Sequence, residues 1–398
     1  MMYNFSAAAL SARIDPLLDL VLRQQRLVGA VVLVRQRGQE IYRRAAGYLD
    51  REAGTPMVDD AVFRLASVSK PIVSTAALAL VGQGRLGLED LVARWLPYFA
   101  PRQPDGAVAA MSVRHLLTHT AGLDYGFFQP PDGAYAQAGV SDGMDASRIT
   151  LADNLRRLAT VPLAYAPGER WAYSIATDVL GAVIEAVTGL PLAHAVALLV
   201  TAPLAMRDTG FLATDPARLA VAYADRAAGE LQPRRLLDAG EDHLPFLDGM
   251  AGFTLSPARA LDAHAYPSGG AGMVGSAPDF MRLLETLRQG GAPLLPPALA
   301  RQLGENQTAA FDLPFWPGRG FGLGFTVLTD PQLAATPEAA GTWRMGGTYG
   351  HSWFVDPAQE LSVVAFTNTA LEGMAGPFVM ELCQAIYGSK EAGVEQGQ

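Results

Sequence analysis

Ser67-Val68-Ser69-Lys70 sets a hydroxyl and an amine three positions apart at the head of an apolar run. Positions i and i+3 share a helix face, so the Lys70 amine can approach the Ser67 hydroxyl. A serine that attacks a carbonyl must lose its proton, and a neutral lysine takes it if burial or neighbouring cations lower the lysine pKa. A helix N-terminus adds free backbone N–H groups and the positive end of a dipole where oxyanion charge develops. Alone, the pattern equally describes a capping serine and a lysine whose head reaches water. Lysine usage sharpens it: of 30 Lys plus Arg, only Lys70 and Lys390 are lysines. Arginine stays charged near neutral pH whereas lysine can deprotonate, so a lone lysine beside an apolar helix hints at chemistry.

Other reactive-looking groups read more plainly. Gly139-Val140-Ser141-Asp142-Gly143 fits a Gly-x-Ser-x-Gly elbow, which needs a buried strand before the serine and a helix after it. The flanks, Gln129-Pro130-Pro131-Asp132-Gly133 and Met144-Asp145-Ala146-Ser147-Arg148, supply neither, so Ser141 is expected on a surface loop. His115 and His119 are spaced i, i+4 but lack the Glu of a His-Glu-x-x-His zinc motif and a third ligand; packing and capping are expected of them, and no metal. Gly269-Gly270-Ala271-Gly272 runs into Met and Val rather than Lys-Ser/Thr, so it is no phosphate loop. The single cysteine, Cys383, falls in a helical pattern and reads as core.

Positioning these groups requires a scaffold, and periodicity predicts one. Residues 6–26 have helical spacing; 28–35 and 40–46 alternate as strands around Arg37-Gly38. An apolar helix is predicted from Ser67 to about Val81, stopping at Gly82 and Gly84. Residues 88–204 read mostly helical, including 113–117, 151–158 behind an N-cap Thr150, and 175–187 ending at Gly189. The stretch 205–262 reads as irregular. A helix over 278–288, strands over 321–328, 352–355 and 361–367, and a helix over 377–387 complete the pattern. Strands at both ends with helices between predict an α/β sheet domain from residues 1–87 and 263–398, with a mainly helical domain inserted over 88–262.

The 398 residues are half hydrophobic, enough for a large core, and the formal net charge of −9 comes without a basic run. Nucleic acid and anionic membrane surfaces are therefore excluded as expected partners. The N-terminus lacks the basic n-region and apolar h-region of a secretory signal, which points to a cytoplasmic chain. Residues 186–206 carry no Asp, Glu, Lys or Arg, but Gly189, Pro191, His194 and Pro203 interrupt them; two buried helical pieces are expected, not a membrane span. The polar tail, residues 389–398, is expected to fray. Nothing in the sequence sets an oligomeric state.

Several segments in order resemble the class C β-lactamase-like serine hydrolases, and most closely the family VIII carboxylesterases. These are Phe63-Arg64-Leu65-Ala66-Ser67-Val68-Ser69-Lys70, Gly84-Arg85-Leu86-Gly87-Leu88-Glu89-Asp90 and Val113-Arg114-His115-Leu116-Leu117-Thr118-His119-Thr120-Ala121-Gly122-Leu123. Further along come Pro167-Gly168-Glu169-Arg170-Trp171-Ala172-Tyr173-Ser174, Ser268-Gly269-Gly270-Ala271-Gly272-Met273 and the region from Met345-Gly346-Gly347-Thr348-Tyr349-Gly350-His351-Ser352-Trp353 to Pro357. The resemblance implies Ser67 as nucleophile, Lys70 as its base or relay, and Tyr173 as a second base. A phenol of ordinary pKa near ~10 is a poor base, so a nearby cation must stabilise its phenolate. The resemblance also implies an oxyanion hole from the Ser67 N–H and a backbone N–H near Thr348, with Gly346 and Gly347 allowing close approach. Met345, Gly346, Gly347, Tyr349, His351 and Trp353 would border the substrate.

Two departures bear on the substrate. Ile175 stands where penicillin-targeting relatives carry Asn, and Met345-Gly346-Gly347 stands where they carry Lys-Thr-Gly and the esterase branch often has Trp-Gly-Gly. Groups that would hold a β-lactam amide and carboxylate are missing, which favours uncharged esters; Trp343 or Trp353 is a candidate substitute for the missing Trp. The expectation is a β-lactamase-like α/β (α+β) fold, an antiparallel sheet flanked by helices, hydrolysing small carboxylic esters through an acyl-Ser67 intermediate without metal or organic cofactor. A β-lactamase or D-alanyl peptidase, an acyltransferase with the same triad and a non-catalytic ligand sensor are the alternatives.

Overall fold

The protein is described by a computed structural model over residues 3–226 and 230–388. Met1, Met2 and the tail at 389–398, with Lys390, lie outside the described residues. Helix α1 (Ala7–Arg23) precedes the hairpin β1 (Gly29–Gln36) and β2 (Gln39–Asp50). The turn residues Arg37 and Gly38 both have positive φ, 51° and 79°, the turn whose twist matches that of the strands it joins. After β3 (Thr55–Pro56) and β4 (Val62–Arg64), a 3-10 turn at Ala66–Val68 opens helix α2 (Ser69–Gly82). Helix α3 (Ala176–Thr188) centres the intervening region. The chain returns as β5 (Val274–Ser276), α4 (Ala277–Arg288), β6 (Arg319–Phe321), β7 (Thr326–Leu328), β8 (Trp343–Gly347), β9 (His351–Asp356), β10 (Leu361–Thr367) and α5 (Pro377–Tyr387).

Eight strands from the two ends of the chain form one antiparallel sheet in the order β6-β7-β8-β9-β10-β1-β2-β3. Its central strands are apolar on both faces. From β1, Ala30, Val32 and Val34 pack with Leu10, Ile14 and Leu18 of α1 and with Phe378 and Leu382 of α5. Val31 and Leu33 face the opposite way, into the core that contains α2, α3 and α4. A sheet covered by helices on both faces needs apolar residues at every position, which is why β1 and β10 read as continuous hydrophobic runs. Each fully buried Val or Leu contributes about 1.5–3 kcal/mol.

Helix α2 is buried from Ser69 through Leu80, packed against α3 and the helical segment Leu192–Thr201. A helix apolar all round belongs in a core, and any polar group it carries is thereby sealed from water. The same hydrophobic cluster runs on into the 113–117 and 151–158 helices, so the helical region shares the sheet's core. The N-cap at Thr150 forms as expected, its side chain accepting from Asp153 N.

Two readings differ in detail. Residues 321–328 form two strands, β6 and β7, because the chain reverses between them, with Gly322 N donating to Phe325 O. The irregular stretch contains two small ribbons, Tyr223–Ala224 with Arg234–Arg235 and Asp242–Leu244 with Phe253–Leu255. Among the described residues no single helix is long and apolar enough to cross a membrane. Helix α3 and the segment Leu192–Thr201 reach that length only together, and they meet at 80°. Cys383 is buried on α5 with its thiol pushed up to about 12, so it stays protonated as a small core residue.

Candidate active site

The site begins at a sharp corner. β4 pairs with β5, Leu65 N donates to Met273 O, and the chain then turns through Ala66, whose φ of 46° is left-handed. A non-glycine residue held there costs on the order of 1 kcal/mol, and the buried surroundings of Ala66 impose it. The corner places Ser67 in a 3-10 turn ahead of α2, not inside the α-helix as the periodicity predicts. In 3-10 geometry positions i and i+3 eclipse, which brings the two side chains closer still. Ala66 and Val68 are buried, while Ser67 keeps partial exposure.

Lys70 has no exposed surface. Its Nζ donates to Ser67 Oγ at 3.2 Å and to the Gly270 carbonyl at 2.9 Å. The amine also lies over the rings of Tyr173 and Tyr125, 4.6 and 5.0 Å from their centroids. Burial brings its pKa down to about 7, against the opposing pull of the Asp178 and Asp142 carboxylates. Burial thus favours the free amine of Lys70, the form able to accept a proton.

The Tyr173 phenol interacts with the Ser67 side chain, so amine and phenol face the same residue. Its ring stacks on His119 (5.0 Å, 27°) and meets Trp316 edge-on (5.6 Å, 89°). Burial raises the phenol pKa, and Lys70 faces the ring rather than the hydroxyl. This differs from the picture of a cation holding a phenolate. The resting arrangement is a neutral phenol beside a lysine that loses its proton more easily.

Strand β8 comes against the nucleophile corner at Gly347. A Cβ there would lie 2.4 Å from the Leu65 carbonyl oxygen, so only glycine lets the strand pass and brings the backbone of Thr348 up to the Ser67 turn. Gly347→Ala is expected to push β8 away and lower kcat by about 100-fold, the cost of misplacing reacting groups by roughly 1 Å. Steady-state kinetics beside a thermal melt would separate that loss from unfolding.

The residues expected to border the substrate fall in different surroundings. Gly346 and Met345 line a small cleft with Trp316, and Tyr349 follows Thr348 beside Arg64 and Arg259. His351 is instead fully buried, its Nε2 donating to the Arg64 carbonyl at 2.7 Å. Trp353 packs edge-on against Phe280 and Phe325 beneath the sheet. Both are corrections: alternation along β9 points them into the core, where they brace the corner and the sheet. Trp343 likewise packs on Phe325, so neither tryptophan replaces the missing one.

Ser141 sits in a loop, but a buried one, with its hydroxyl donating to Asp145 and accepting from Gly143 N. His115 closes a capping box with Ser112, and His119 Nδ1 accepts from Ser174 N, so both histidines serve the local backbone. Ile175 is a fully buried residue at the start of α3.

Aromatic residues that periodicity did not single out gather around Tyr173. Phe128 contacts Tyr173 and Phe246 and stacks on Phe315 (5.3 Å, 9°), while Trp316 bridges Trp171 and Tyr173. Phe315 is 46% exposed, so part of this apolar surface is open to an incoming molecule. The available signal was the doubled aromatics Phe127-Phe128 and Phe315-Trp316 in proline-flanked loops, where a core role is least expected.

The beta-lactamase family profile matches residues 10–377. Esterase EstB of Burkholderia gladioli is 50% identical over 385 residues, 97% of each chain. A solved structure of EstCE1, a hydrolase with promiscuous acyltransferase activity, superposes with a TM-score of 0.91 at 47% identity, covering 96% of this chain and 99% of that one. The monacolin J acid methylbutanoyltransferase of Aspergillus terreus is 26% identical over 417 residues, covering 94% of each chain.

Proposed function

The chain belongs to the beta-lactamase family, and from that premise we propose that it is a carboxylesterase cleaving small apolar esters through an acyl-Ser67 intermediate. One observation carries the reading. The fully buried Lys70 amine lies 3.2 Å from Ser67 Oγ and over the ring of Tyr173, 4.6 Å from its centroid.

In acylation the neutral Lys70 amine takes the Ser67 proton as Oγ attacks the ester carbonyl carbon. The carbonyl oxygen becomes an oxyanion that the N–H groups of Ser67 and Thr348 are assigned to hold. Collapse breaks the C–O bond to the alcohol, and the proton on Lys70 passes through the Tyr173 hydroxyl to the departing oxygen. Water then attacks the acyl-enzyme, its proton returns along the same relay, and the acid leaves as Ser67 recovers its hydrogen.

The aromatic residues around Tyr173 favour apolar acyl and alcohol groups over the charged, amide-bearing frame of a β-lactam. The open face of Phe315 also favours a second outcome, in which an apolar alcohol seats there and intercepts the acyl-enzyme before water does. Intact-mass analysis after a fluorophosphonate is expected to show one adduct, mapped to the peptide holding Ser67. A short nitrophenyl ester is expected to exceed a chromogenic cephalosporin in kcat/KM by at least about 100-fold, and added alcohol to divert product to the new ester. An unlabelled Ser67, or a cephalosporin preference, would remove the assignment.

A further inference from the structure

Asp178 sits in the first turn of α3, fully buried, and takes no part in the steps above. Its Oδ1 accepts from Ser268 Oγ at 2.8 Å and from Gly270 N at 2.7 Å, while Oδ2 is a buried oxygen without a partner. The carbonyl of the same Gly270 accepts from Lys70 Nζ at 2.9 Å. One residue is thus clamped at both ends, its N–H by Asp178 and its C=O by the lysine. A Cβ at Gly270 would lie 2.7 Å from the Tyr125 hydroxyl, 3.3 Å from Asp178 Oδ1 and 3.5 Å from Lys70 Nζ, so these groups converge on a single glycine.

A buried carboxylate with one oxygen unbonded is costly, and two donors to the other oxygen offset only part of that cost. What remains is the charge it faces. The titratable groups around Lys70 are Asp178 from α3, Asp142 from the 141–143 loop, His119, Tyr125 and Tyr173; Asp178 in turn faces Lys70, Arg259, Tyr125 and Tyr266. Burial pushes Lys70 toward the free amine and Asp178 toward the protonated acid, and each charge opposes the other's loss.

We propose that Asp178 is a positioning residue for acylation: it holds the Gly270 carbonyl where the Lys70 amine has its second acceptor, and its carboxylate faces that amine. The inference rests on Lys70 as the base that deprotonates Ser67. Without the carboxylate, the effect of burial meets less opposition, and Lys70 becomes a weaker base that is neutral at lower pH.

Asp178→Asn separates charge from scaffold. The amide oxygen still accepts from Gly270 N and Ser268, so a purely structural role leaves the pH behaviour untouched. Because the chain holds two lysines, Lys70 and Lys390, lysine-selective 15N labelling yields a directly assignable Nζ titration. In Asp178→Asn the Lys70 midpoint is expected to fall by about one pH unit, with the acid limb of kcat/KM falling by the same amount. If this variant does not fold, Ser268→Ala strips one donor from Oδ1, favours the protonated acid and should move both readouts the same way by less. An unchanged midpoint and acid limb in a folded variant overturns the proposal while leaving esterase chemistry intact. If the wild-type acid limb does not follow the Lys70 midpoint at all, the assignment of Lys70 as base falls, and this inference with it.

Discussion

Ser67→Ala is expected to lower kcat/KM toward short esters by at least about 10⁴-fold, the scale seen when a nucleophile acting in a concerted unit is removed. No neighbouring hydroxyl can substitute. Ser69 is buried on the far side of the turn with its Oγ accepting from Met273 N. Ser141 is bonded to Asp145 and Gly143, and its Oγ also accepts from the Tyr266 hydroxyl. Ser141→Ala should therefore keep activity within a few-fold of wild type. The pair of variants, assayed with one nitrophenyl ester and checked for folding by thermal melting, decides between the two serines in the sequence that fit a nucleophile motif. Loss in Ser141→Ala with retention in Ser67→Ala would reverse the assignment.

Replacing Lys70 by Met should cost about 10³-fold in kcat, within the usual contribution of a positioned base. Met preserves most of the volume and removes the proton acceptor, so the fold tolerates it better than a smaller residue. Lys70→Arg is expected to fare no better, because a guanidinium stays protonated and its planar fork does not fit an ammonium's place. The pH profile supplies an independent check. Burial holds Lys70 near 7, so its active free-amine form is lost as pH falls through that value. Wild-type kcat/KM is expected to drop about tenfold per pH unit well below 7, and the residual activity of Lys70→Met should lack that limb. His119 and His351 do not account for such a limb: burial holds His119 well below the ordinary histidine range and His351 down at about 4. An acid limb that persists unchanged in Lys70→Met would assign it to another group.

Stability has its own pH sign from the same residue. Lys70 has a folded-state pKa below its ordinary value, so charging it in the core disfavours folding. That penalty is absent above the ordinary lysine pKa, where the amine is neutral in both states, and is complete below about 7, where the buried amine must be charged. The base proposed for Ser67 needs this amine buried, and the core that surrounds it must tolerate the cost.

The meeting of Ser67 with Lys70 was legible in the sequence because it is local. Ser67 and Lys70 are within one turn, and an apolar run around a lysine implies its desolvation wherever the helix is placed. The outer helices and the central strands were legible for the same reason, since their hydrophobic repeats are complete within a dozen residues. Tertiary structure alone decided which distant groups meet. The Gly270 carbonyl reaches Lys70 across 200 positions, and the His351 ring reaches the Arg64 carbonyl across 287. No periodicity encodes those meetings, because they depend on how a sheet drawn from both chain ends registers against α2 and α3. The left-handed Ala66, the inward turn of His351 and Trp353, and the gathering of Phe128, Phe315 and Trp316 around Tyr173 all follow from that packing. Spacing along the chain sets which groups can react, and long-range packing sets which of them share a cavity, because contact energy is gained only where distant surfaces fit.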